Sequence, residues 1–90
     1  MREPVTTSIA VDLRYFAAAA DAAGQSSESL ELPVGTTLAD LRTRLHSRGA
    51  EMERVVRVSS FLVNAVVASD DSVVLGEGDR VDVLPPFAGG

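Results

Sequence analysis

The segment Leu84-Pro85-Pro86-Phe87-Ala88-Gly89-Gly90 combines residue types that suit chemistry, and the chemistry belongs to backbone rather than to side chains. Pro85 and Pro86 restrict φ and keep the chain extended. Phe87 is a large apolar group outside any predicted strand. Ala88-Gly89-Gly90 then presents backbone with almost no side-chain bulk. From Pro85 to Gly90 the reach is at most about 20 Å, at roughly 3.3–3.6 Å per residue. An arm this slim can enter a narrow channel and carry the Gly90 carboxylate into a neighbouring protein's active site. Nothing beside that carboxylate would obstruct a large reagent such as a nucleotide. The competing reading is a frayed chain end. The proline pair, the apolar Phe87 and the bare glycines argue against it.

Other candidates are weaker. His46 sits next to Leu45 near the end of a predicted helix, where a partly charged imidazole suits the helix dipole, and a lone histidine there is more often an exposed polar residue than a catalytic one. Asp70-Asp71 and Glu77/Asp79 are turn carboxylates, which commonly accept bonds from nearby backbone N–H groups. No further ligands stand at metal spacing, so no metal site is expected. Gly76-Glu77-Gly78 lacks the lysine and the following helix of a phosphate loop. Ser59-Ser60 lacks a histidine partner for nucleophilic catalysis. The sequence has no cysteine, which removes disulfides, thiolate nucleophiles and cysteine metal sites.

Ninety residues, 46% of them apolar and 23% charged, fit one small globular domain. The net charge of −5, with arginines scattered singly from Arg14 to Arg80, argues against nucleic acid and favours a complementary basic partner. Apolar runs are too short to span a bilayer, and Met1-Arg2-Glu3-Pro4 does not lead into a signal-peptide core. A cytoplasmic protein is expected.

The elements that must hold the tail follow from periodicity. Ile9, Val11 and Leu13 alternate with polar neighbours and predict a strand. The alanine-rich stretch 16–23 predicts a short helix closed at Gly24. Leu30 and Leu32 predict a second strand, paired with the first by a wide hairpin-like return and ending at Pro33-Val34-Gly35. Leu38, Leu41 and Leu45 lie on one helical face. Thr37 and Asp40 form a capping box there, and Gly49 supplies the stop. Residues 49–58 read as the least structured connection. Phe61 and Val63 begin a strand that continues as Val66-Val67. A tight turn at 76–79 then precedes strand residues Val81 and Val83, and Pro85 ends the ladder. Strands flanking a main helix, with the first and last strands side by side, predict an α+β β-grasp fold: a small mixed sheet packed on one main helix. The domain is expected to span 1–84, with a flexible, extended tail at 85–90.

The stretches VDLRYFAAAADAAG and LGEGDRVDVLPPFAGG resemble the small, sulfur-carrying subunits of molybdopterin synthase, which belong to the ubiquitin-like β-grasp proteins. The resemblance covers nearly the whole chain. Its specific parts are an aromatic pair leading into a short helix closed by glycine, then Gly-Asp, an apolar strand, Pro-Pro and terminal Gly-Gly. It implies that an E1-like activating enzyme uses ATP to adenylate Gly90, and that a sulfur donor converts the adduct to a thiocarboxylate. The tail would then pass sulfur to a pterin precursor inside the large subunit. The chain itself would bind no cofactor and no metal. Gly90 would be the modified residue and Gly89 its slim neighbour. Pro85, Pro86, Phe87 and Ala88 would be the threaded segment. Phe16, Val67 and Leu84 match apolar positions that the family turns toward its partners, with core packing as the competing reading for each. Asn64 matches a family asparagine and reads as a turn cap. The alternatives are a sulfur carrier for thiamine or cysteine synthesis, a ubiquitin-like modifier joined to lysine amines, and an interaction domain without terminal chemistry.

Overall fold

The structure is a computed structural model that describes residues 7–86. It runs β1 (Ser8–Tyr15), α1 (Ala18–Ala23), β2 (Ser27–Pro33), α2 (Leu38–His46), α3 (Ala50–Val58), β3 (Ser60–Val63), β4 (Val66–Val67) and β5 (Arg80–Leu84). The five strands form one mixed sheet in the order β2-β1-β5-β3-β4. β1 and β5 lie side by side at its centre, as the sequence predicts; they pair in parallel, and the other pairings are antiparallel.

Alternation divides the sheet into two faces. Ile9, Val11, Leu13 and Tyr15 of β1, Val81 and Val83 of β5, and Phe61 of β3 enter a single buried core. The same core takes in Leu38, Leu41 and Leu45 from α2, Met52, Val55 and Val56 from α3, and Ala19 from α1. The helices therefore cover one face. Asp12, Arg14, Leu62, Arg80, Asp82 and Leu84 alternate with the core residues and fall on the other.

Local chemistry fixes the ends of the elements. Thr37 and Asp40 make the predicted capping box: Asp40 N–H donates to Thr37 Oγ1 at 3.2 Å, and Thr37 N–H donates to Asp40 Oδ2 at 3.1 Å. Two further N–H groups at the start of α2, those of Leu38 and Ala39, donate to the carbonyls of Val73 and Asp71, each at 3.0 Å. The 68–75 loop thus serves as a cap for α2. Arg42 adds a second tie, lying 4.2 Å from the centre of the Phe61 ring while its Nε donates to Asp71 at 3.1 Å. Gly24 closes α1 at φ 74°, in the left-handed region that the sequence reading assigns to it.

Two expectations change. Residues 49–58 are not a loose connection: they form α3, as long as α2. Met52, Val55 and Val56 are spaced i, i+3, i+4 and all three are buried. Gly49 does not stop α2, which ends at His46 with Ser47 as its cap; Gly49 is the N-cap of α3, at φ 134°. The strand predicted to continue through Val66-Val67 folds back instead. Asn64 and Ala65 have φ of 51° and 71°, the left-handed pair that a two-residue hairpin turn requires, so β4 lies antiparallel to β3.

A partly buried polar cluster joins the α2–α3 connection to the sheet. Tyr15 OH donates to Glu28 Oε2 at 2.5 Å, and the Arg48 guanidinium forks onto both Glu28 oxygens. Desolvation, followed by the bond to Glu28, pushes the Tyr15 phenol well above its ordinary range. The Arg48 hydrogen bonds hold the Glu28 carboxyl below its ordinary 4.5. A depressed carboxyl contributes stability in full above the unfolded value and loses it as pH falls through the folded one. Glu28→Gln is therefore expected to cost about 1–2 kcal/mol at neutral pH. The gap to wild type in urea unfolding should close between about pH 5 and pH 3. A gap that stays constant over that range would show that the ionised carboxylate contributes nothing.

Candidate functional site

The site is built on the face of the sheet that the helices leave open. At its centre β1 and β5 run side by side, and their register sets Arg14 opposite Asp82. β3 adds Leu62, also opposite Asp82, and β4 adds Val67 opposite Leu62. Phe16 extends the open face past the end of β1. Its N–H donates to the Val83 carbonyl at 3.2 Å, and its ring lies 5.4 Å from the Arg14 guanidinium carbon. Leu84 follows Asp82 on the same face.

Phe16, Val67 and Leu84, three sequence candidates for partner contact, thus share this face and none joins the core. Val67 is 63% exposed; Phe16 and Leu84 are half-buried. The core-packing alternative for these residues does not hold. Pro85 is buried at the end of β5 and Pro86 is exposed, so the chain leaves the sheet from its central strand, beside Phe16. Phe87, Ala88, Gly89 and Gly90 lie outside the described residues.

Sequence reasoning missed a cluster of charges beside these apolar residues. The Nε of Arg14 lies 3.8 Å from Asp82 Oδ1, and the Nε of Arg80 lies 3.6 Å from the same oxygen. Asp82 is 8% exposed, an unusual degree of burial for a carboxylate. A hollow of about 390 Å³ opens beside the two arginines, lined by Asp12, Leu13, Arg14, Ser27, Glu28, Ser29 and Arg80. The signal was absent from the sequence because Arg14 and Asp82 are brought together only by the parallel pairing.

The remaining candidates have structural roles. Asn64 caps its turn: Nδ2 donates to Asp79 Oδ1 and Oδ1 accepts from Arg80 N–H, each at 3.0 Å. Asp79 Oδ2 accepts from Gly76 N–H at 2.7 Å, closing the 76–79 turn, and Glu77 Oε1 accepts from Ala10 N–H at 2.9 Å. Asp70 accepts from Ser72 N–H at 2.8 Å; those backbone and side-chain bonds to Ser72 hold its carboxyl below the usual range. Asp71 pairs with Arg42. Ser59 donates to the Val55 carbonyl at 2.7 Å. His46 is the last residue of α2, half-buried. Among the described residues no group of three or more His, Asp or Glu could hold a metal ion, and no helix is long and apolar enough to cross a membrane.

A mixed sheet with a central parallel β1–β5 pair, helices on one face and the last strand running out toward the tail defines a ubiquitin-like β-grasp protein. Within that class the ThiS family matches residues 13–90, and the chain belongs to it. It is 28% identical over 81 residues to the molybdopterin synthase sulfur carrier subunit of Chlamydomonas reinhardtii, covering 89% of this chain and 98% of that protein. It is 30% identical over 82 residues to the human molybdopterin synthase sulfur carrier subunit, covering 89% of this chain and 93% of that protein. Among solved structures, the Haloferax volcanii HVO 2177 protein has the same fold, with a TM-score of 0.82 and 23% identity over 100% of this chain and 94% of that one.

The division between open face and core has a direct test. Val67→Ser should change stability by no more than about 0.5 kcal/mol, as surface substitutions do. Val83→Ala should cost about 2–3 kcal/mol by losing buried apolar surface and leaving a cavity. Equal losses for the two variants in chemical denaturation would contradict the assignment of faces.

Proposed function

We propose that this chain is the sulfur-carrying subunit of a molybdopterin synthase and that the Gly90 carboxylate is its reactive group. The observation that carries the reading is its match to two molybdopterin synthase sulfur carrier subunits over nearly their whole length, together with a family match that runs through Gly90. The geometry is consistent with that use. The central strand β5 ends at Leu84 and Pro85 is buried at its end, which gives the tail a fixed base.

A carboxylate resists substitution because oxide is a poor leaving group, so the mechanism begins with activation. A Gly90 oxygen attacks the α-phosphate of ATP in an adenylating, E1-like enzyme. Pyrophosphate leaves and a mixed anhydride with AMP remains. A sulfur donor at the oxidation level of hydrosulfide displaces AMP, leaving a thiocarboxylate on Gly90. The carrier then docks its open face on the large subunit and threads Pro86 to Gly90 into the active site. There the sulfur passes to a pterin precursor and water restores the carboxylate. Phe16, Leu84 and Val67 supply apolar contact surface, and Gly89 keeps the arm thin enough to enter. The sequence has no cysteine, so its transferable sulfur is carried by the terminus. A carrier for thiamine or cysteine synthesis would use the same chemistry with a different acceptor; the names of the two relatives favour the pterin.

Incubation with ATP, the activating enzyme and a sulfur source should raise the intact mass by about 16 Da, sulfur replacing oxygen on the activated acyl group. Gly89→Val, or one residue added after Gly90, should abolish sulfur transfer and leave the thermal unfolding transition in place. Sulfur transfer by the capped protein would overturn the reading.

A further inference from the structure

On the open face of the sheet, where an interaction surface would be expected to be apolar, two arginines close on one sheltered carboxylate, while the other acidic residues of that face, Asp12 and Glu31, are exposed to solvent. Asp82 lies between Arg14 and Arg80, its side chain only 12% exposed, while the two arginine side chains are 45% and 42% exposed. Neither arginine completes a hydrogen bond with it. Asp82 Oδ1 and Arg80 Nε are both buried, and neither has a hydrogen-bond partner among the described residues. Buried polar atoms in folded proteins almost always have partners, and leaving one without costs stability. The carboxylate already faces two guanidinium groups, so the surplus among these three side chains is of N–H donors, although Asp12 stands in register with Arg80 on the neighbouring strand. The side chains that reach outward are the arginines. Leu62, Leu84 and Phe16 surround them with apolar surface.

We propose that the Arg14–Asp82–Arg80 cluster is a recognition site for one acidic side chain of the subunit on which the open face docks. The inference rests on the sulfur-carrier reading and adds to it the residues that set the docking register. Two guanidinium groups offer forked N–H donors suited to a carboxylate. Asp82 holds them side by side and offsets part of their repulsion. The rest of the chain makes the cluster selective. With a net charge of −5, the molecule as a whole repels an acidic partner face, so a partner carboxylate gains most where two guanidinium groups stand together, as they do here. Closing the surrounding apolar residues around the pair removes water and strengthens it. A misplaced docking pose would bury two guanidinium groups without acceptors, a penalty that acts against every other register. A fixed register matters to a carrier because the arm starting at Pro86 must meet the mouth of a channel.

The test uses the full chain and the large subunit of molybdopterin synthase, with affinity measured by calorimetry. The triple variant R14Q/D82N/R80Q keeps the size of the three side chains and removes their charges, so no unpaired ion is buried. It is expected to bind at least tenfold more weakly. R54Q, on the exposed face of α3, makes the same net change in charge and should bind within twofold of wild type. The two variants separate local recognition from overall attraction: if a basic partner were drawn only by net charge, each would bind slightly more tightly. R14Q alone leaves the Arg80–Asp82 pair in place and is expected to lose about fivefold, which keeps the test decisive should the triple variant fold poorly. Binding of either cluster variant within twofold of wild type would overturn the proposal and leave the sulfur-carrier reading intact. Failure of the wild-type chain to bind the large subunit would overturn both.

Discussion

The parallel pairing of β1 with β5 is the interaction on which the structure depends. It joins residues 12–15 to residues 80–83, close to the two ends of the described chain, and so closes nearly the whole domain as one loop. The pairing gives β5 two hydrogen-bonded neighbours and buries Val81 and Val83 against the helices. It also sets Arg14 beside Asp82 and ties Phe16 to Val83. The Arg14–Asp82 contact and the place of Phe16 follow from that register, while β3 and β4 add Leu62 and Val67 through their own antiparallel pairings. A slip of one residue would turn Val81 and Val83 toward solvent and Asp82 into the core. Such long-range contacts are slow to form because loop closure must precede them, and the 76–79 turn helps by fastening to β1 through Glu77 and Gly78 at Ala10.

The helical side of the molecule explains how a domain this small stays rigid enough to present an arm. α2 is capped at its start by its own side chains and by the 68–75 loop, and the connection that follows it is tied to the sheet by Arg48, Glu28 and Tyr15. Arg42 packs across Phe61. These are partly desolvated contacts, and they matter more than the exposed pairs Arg54–Glu51 and Arg57–Glu53 on α3, which contribute little at room temperature. The polar ties lie on the helix side of the sheet. The open face carries the apolar residues Phe16, Leu62, Val67 and Leu84 and, among its polar residues, one incompletely bonded cluster of Arg14, Asp82 and Arg80.

Much of this was legible in the sequence because alternation and helical spacing report burial directly. Ile9-Val11-Leu13 and Leu38-Leu41-Leu45 read without ambiguity, and so did the Thr37–Asp40 capping box and the Asp79 turn. α3 escaped because its apolar residues are mostly valine, a poor helix former, and because Gly49 reads as a stop when it is in fact a start. Burial of Met52, Val55 and Val56 overrides that propensity. The β3–β4 turn escaped because Asn64 is followed by Ala65 rather than by the glycine that usually marks two consecutive left-handed residues. Phe16, Val67 and Leu84 were picked out by family resemblance and share one face of the sheet, while the threaded segment Phe87 to Gly90 lies outside the described residues. The Arg14–Asp82–Arg80 cluster was not, since no local pattern records which residues a parallel register brings opposite each other.

On the proposed reading, the open face of the sheet, beside the point where β5 ends at Pro85, is the surface this chain offers to its partner. The most direct measurement is the change in backbone amide NMR signals when the large subunit is titrated into labelled protein. The account expects shifts concentrated at Arg14, Phe16, Leu62, Val67, Asp82 and Leu84, continuing into the tail, with α2 and α3 unaffected. Shifts centred on α2 and α3, with β1, β5 and the tail unmoved, would contradict it.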